Sequence, residues 1–115
     1  MARFLSPAED RLIDRFLDLL VQRLPHGALR GVVLFGSRAR GNSGEESDMD
    51  VAVEVAPGVA ALAARRAVAD AAHDAMAEGD AFALGLSPVV VPAGQGGGLG
   101  AALARDGERL WPRAA

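Results

Sequence analysis

Asp48 and Asp50 are separated by a single residue, and ten residues separate Asp48 from the upstream pair Gly36-Ser37. In an extended strand, alternate side chains point to opposite faces, so two carboxylates at this spacing share a face with Cα atoms about 6.6 Å apart. Like charges placed so closely repel unless a cation sits between them. Mg²⁺ is the natural partner, because it takes oxygen ligands and is usually held by one or two carboxylates together with substrate phosphates. A Gly-Ser turn supplies backbone N–H groups and a hydroxyl, both suited to phosphate oxygens. Arg38 and Arg40 follow in the same loop, and either is placed to neutralise phosphate charge. The combined pattern points to a metal-dependent nucleotide site.

The apolar residues around these positions say which elements carry them. Val32-Val33-Leu34-Phe35 is an unbroken apolar run leading into Gly36, as expected of a strand covered on both faces. Met49, Val51, Val53 and Val55 alternate with the aspartates and belong to a core-facing side. The chemistry therefore sits where one buried strand leaves the core and a second one begins.

The full runs Leu34-Phe35-Gly36-Ser37-Arg38-Ala39-Arg40-Gly41 and Ser47-Asp48-Met49-Asp50-Val51-Ala52-Val53 resemble the signature of the minimal nucleotidyltransferases, within the DNA polymerase β-like superfamily. The segment from Leu103 to Trp111 is similar to the usual end of these proteins. The resemblance implies a small mixed β-sheet packed with helices, and transfer of a nucleoside monophosphate from an NTP, with ATP the expected donor, to a hydroxyl of a protein or small molecule. It implies Asp48 and Asp50 as catalytic ligands of one or two Mg²⁺ ions, with Gly36, Ser37, Arg38 and Arg40 around the triphosphate. It also implies a small helical HEPN-type partner, towards which such proteins act as antitoxins.

One position departs from the family pattern. Active relatives carry a third carboxylate on the next core strand, whereas the corresponding stretch here, Gly85-Leu86-Ser87-Pro88-Val89-Val90-Val91, contains no acid. Asp80 and Glu54 are not natural substitutes, since Glu54 lies about 13 Å beyond Asp50 along the strand. Two readings follow: a nucleotidyltransferase proper, and a catalytically weakened nucleotide-binding or partner-binding module of the same fold.

The remaining residues bound the class. The 115 residues suit one domain spanning 1–115, with half of them hydrophobic and no cysteine, as expected of a cytoplasmic protein. A net charge of −3 argues against sequence-independent binding to a nucleic-acid backbone, and no apolar run approaches the length of a membrane span. All twelve basic residues are arginine. Without lysine there is no Walker-type phosphate loop and no Schiff-base chemistry, so positive charge toward phosphate must come from arginine or metal.

In chain order, Ser6-Pro7-Ala8-Glu9 is a helix start, and Leu12, Ile13, Phe16, Leu17, Leu20 and Leu24 form an apolar stripe ended by Pro25. Strands are expected over roughly 30–35 and up to Pro57-Gly58, with the motif loop between them. An alanine-rich helix over 59–78 is expected to present Leu62, Val68, Ala69, Ala72 and Met76 to the sheet, with Gly79 as its cap. A strand over 82–91 follows, with Pro88 at an edge or bulge; then a glycine-rich linker over 93–100, a short helix over 99–106 and a last strand over 108–111. His26 and His73 read as solvated, and Trp111 as a core or edge anchor.

Overall fold

The computed structural model describes residues 7–35, 49–79, 85–92 and 107–111. Their elements are α1 (Pro7–Arg23), β1 (Leu29–Phe35), β2 (Met49–Val55), α2 (Ala61–Glu78), β3 (Leu86–Pro92) and β4 (Glu108–Trp111). Ser6, the motif loop, the glycine-rich segment and the expected helix over 99–106 lie outside the described residues.

Helix α1 begins at Pro7, whose missing N–H costs nothing in a first turn, and Glu9 and Asp10 in that turn favour the positive end of the helix dipole. All six residues of its expected stripe are buried, joined by Leu19. Past Arg23 the chain makes one more helical bond, from Leu24 N–H to the Leu20 carbonyl at 3.0 Å. It then turns through Pro25 and Gly27, the latter at φ 79°, a left-handed conformation that glycine adopts at little cost.

The four strands form one mixed sheet in the order β3-β2-β1-β4. β1 pairs antiparallel with both β2 and β4, and β2 pairs parallel with β3. A parallel neighbour requires a crossover, and α2 provides it between β2 and β3. β3 borders the described sheet, which is where Pro88 and Pro92 are tolerated, since neither can donate to a ladder. Pro88 introduces no bulge: seven consecutive pairs run from Met49–Leu86 to Val55–Pro92.

Both helices contribute to one core on a single face of the sheet. It holds Phe16, Ile13 and Leu20 of α1, Val32 and Leu34 of β1, Met49, Val51 and Val53 of β2, and Val68 of α2, all essentially inaccessible. Trp111 packs against its border, as an anchor residue should. On the opposite face, Val33 and Ala52 are buried with Phe35 and Val91 beside them, so β1 and β2 are covered on both sides.

Helix α2 starts at Ala61 and departs from the expected stripe. Its buried residues are Ala64, Val68, Ala71, Ala72 and Ala75, whereas Leu62 is 70% exposed and Ala69 is also exposed. With alanine on every side of the helix, hydrophobicity hardly distinguishes one face from another, and close packing of small side chains chooses the phase. Gly79 does cap the helix, but at φ −92°, and its N–H reaches the Ala75 carbonyl at 3.3 Å. Two ion pairs tie α2 to α1: Arg15 with Glu78 and Arg23 with Asp74, each at 2.7 Å. No helix among the described residues is long and apolar enough to cross a membrane.

Candidate functional site

Asp50 is the second residue of β2 and, by alternation, points away from the helices. It is half-buried, between fully buried Met49 and Val51 whose side chains take the core face. Its antiparallel partner on β1 is Phe35, the residue that precedes Gly36 in sequence. Its parallel partner on β3 is Ser87, also half-buried. Paired residues on adjacent strands share a face, with backbones about 4.8 Å apart. The register thus brings Asp50, the end of β1 and Ser87 together at one end of the sheet. The N–H of Met49 bonds to the Gly85 carbonyl at 2.9 Å and anchors the parallel ladder at this end.

Asp48, Gly36, Ser37, Arg38 and Arg40 lie outside the described residues. Of the sequence-derived site, Asp50 is therefore the residue whose position is described. The side chains around it offer oxygen donors, a carboxylate and a hydroxyl, which suit a hard cation such as Mg²⁺ better than a soft one. Among the described residues no group of three or more His, Cys, Asp or Glu side chains is placed to hold a metal. Such donors fit an ion that also takes ligands from phosphate.

Glu54, two turns of the alternation beyond Asp50 on the same face, is engaged elsewhere. Its Oε1 accepts from Arg109 Nη1 at 3.3 Å, and the same nitrogen donates to the Trp111 carbonyl at 3.4 Å. β1 runs between these two strands, and the pair passes over Gly31. A β-carbon at position 31 would overlap both Glu54 Oε1 and Arg109 Nη1. Sequence reading missed this crossing, although a lone glycine inside an apolar strand is the recognised sign of a close approach. The two histidines are exposed as expected; His73 Nδ1 lies 3.4 Å from its neighbour Asp74.

The mixed sheet, with helices on one face and a carboxylate at the strand end on the other, defines an α/β domain. A nucleotidyltransferase domain profile matches residues 13–81, more than half of the chain, and the chain belongs to that family. No curated protein matches it. The matched span runs from α1 through α2, so β3 with Ser87 and β4 with Arg109 lie beyond it.

Proposed function

We propose that this chain is a nucleotide-binding member of the nucleotidyltransferase family whose transfer chemistry is weakened. It holds a Mg²⁺–NTP, with ATP the expected nucleotide, through Asp48 and Asp50 and through the Gly36-Ser37 turn, with Arg38 or Arg40 on the phosphates. The observation that carries this reading is the unbroken β2–β3 register, which sets Ser87 beside Asp50. That is the position on the neighbouring strand at which an active relative would present its third acid.

Each residue has a role that its chemistry permits. Gly36, lacking a β-carbon, lets the backbone approach the triphosphate, and Ser37 donates its hydroxyl to a terminal phosphate oxygen. Asp50 offers its carboxylate from a strand end whose backbone is paired on both sides. A divalent ion, when bound, supplies Lewis-acid stabilisation of charge on the phosphoryl oxygens. Ser87 cannot take a proton from an acceptor hydroxyl as a carboxylate does, because a neutral alcohol is a very weak base. Transfer to a separate acceptor is accordingly slow.

The test is NTP turnover by the wild type and by Ser87→Asp, using labelled ATP and Mg²⁺. A well-placed general base contributes on the order of a hundredfold or more, so Ser87→Asp is expected to exceed the wild type by that margin. A wild type that is already fast, with Ser87→Asp neutral or slower, overturns the weakened reading and returns the chain to full enzymes.

A further inference from the structure

Ser87 occupies its position with unusual constraint. The following residue is Pro88, and the ring of a proline confines the residue before it to extended backbone. The β2–β3 ladder is continuous through this point, so the hydroxyl is held on the Asp50 face of the sheet. β3 borders the described sheet, and Ser87 is half-buried rather than sealed in the core. The composition narrows the chemistry further. The chain contains no threonine, tyrosine, cysteine or lysine, so its side-chain hydroxyls are five serines at positions 6, 37, 43, 47 and 87. Ser87 is the one of them that falls among the described residues.

Resting on the nucleotide-binding reading above, we infer that Ser87 is itself a nucleotidyl acceptor: the protein modifies its own strand, once, at the hydroxyl beside Asp50. Ser87 Oγ attacks the α-phosphorus of the bound NTP. The Oγ–P bond forms as the bond from the α-phosphorus to the α,β-bridging oxygen breaks. Pyrophosphate leaves with that electron pair, and the hydroxyl proton passes to water. The product is a phosphodiester joining Ser87 to the nucleoside. Holding the acceptor on a rigid strand replaces a bimolecular encounter by an intramolecular one, an advantage that offsets the missing base. The attached nucleotide then fills the site, so the reaction stops after one event per chain and leaves a protein closed to further NTP.

The protein is incubated with ATP and Mg²⁺ and followed by intact mass and peptide mapping. Binding is measured separately by calorimetry with an ATP analogue whose α,β-bridging oxygen is replaced by carbon, which cannot transfer. The expected result is one AMP per chain on the peptide containing Ser87, and loss of analogue binding by the modified protein. Ser87→Ala gains no mass while unfolding at the wild-type temperature, and Ser87→Thr regains the adduct. Analogue binding without a mass gain overturns self-modification and leaves the nucleotide-binding reading standing, as does an adduct on another serine or one that persists in Ser87→Ala. Absence of analogue binding overturns both.

Discussion

Gly31 shows how much can hang on one missing β-carbon. The Glu54–Arg109 pair reaches from β2 to β4 across the strand between them, and only glycine leaves room for it. Gly31→Ala sets two small effects against each other. An alanine in a strand restricts the unfolded chain and contributes about 0.5–1 kcal/mol. Displacing an ion pair whose arginine is half-exposed costs about 0–1 kcal/mol. Because the overlapping atoms are the ends of flexible side chains, they can swing aside. Urea unfolding should therefore find Gly31→Ala within about 1 kcal/mol of the wild type, with a weaker dependence on salt. A loss of several kcal/mol would mean that the pair has nowhere else to go. The same crossing explains why Glu54 does not serve as a spare acid for Asp50: its carboxylate already has a cation.

At the scale of the element, α2 is the more instructive helix. Its contact face is made of Ala64, Val68, Ala71, Ala72 and Ala75, so it sits close to its neighbours and has no room for growth. Ala71, at 0% exposure, should not accept a larger side chain: Ala71→Leu is expected to lose about 1–3 kcal/mol by overpacking. Leu62→Glu, at a position 70% exposed, should change stability by less than about 0.5 kcal/mol in the same denaturant titration. The opposite ranking would restore the stripe that periodicity predicts. The helix pair also carries a pH signature. The hydrogen bond from Arg23, and a second from His73, hold the Asp74 carboxyl below its ordinary pKa. A carboxyl lowered on folding contributes stability that is complete above its unfolded pKa of about 4 and disappears as pH falls through the lowered folded value. Asp74→Asn should therefore flatten part of the acid limb of a stability–pH profile and leave the limb above neutrality unchanged. The pair is solvent-exposed, so the difference should be small and should shrink with added salt. The Arg15 guanidinium, bonded to Glu78, is shifted upward and stays charged throughout.

For the whole molecule, the arrangement of strands matters more than their number. The span matched by the family holds β1 and β2, at the centre of the described sheet, while β3 and β4 flank them from beyond that span. The candidate site therefore lies at a seam: Asp50 comes from the matched centre and Ser87 from the added border. Mg²⁺ is usually held by one or two carboxylates together with substrate phosphates, so under the proposed function the ion and the nucleotide bind together. Calorimetry is expected to detect the non-transferable ATP analogue only with Mg²⁺ present, and EDTA should abolish the heat. Binding indifferent to the chelator would show that the aspartates are not metal ligands.

Several of these features were legible without coordinates, because they rest on local regularities. Alternation along 49–55 puts Asp50 opposite the core side, and the stripe of α1 emerges from large apolar residues at helical spacing, every one of which is buried. Pro88 announces a border strand because it lacks an N–H, and among the described residues β3 is one. The family signature around Gly36 and Asp48 is likewise a property of the chain itself, and the α/β mixed sheet follows from the order of elements. Tertiary structure decided what depends on partners distant in sequence. It set the phase of α2, since an alanine-rich helix has no strong face of its own. It made Gly31 a passage between strands 55 residues apart in sequence. It placed Ser87 beside Asp50, because strand register is chosen by hydrogen bonding and burial across the whole sheet, and a one-residue slip would have turned every side chain of β3 to the other face.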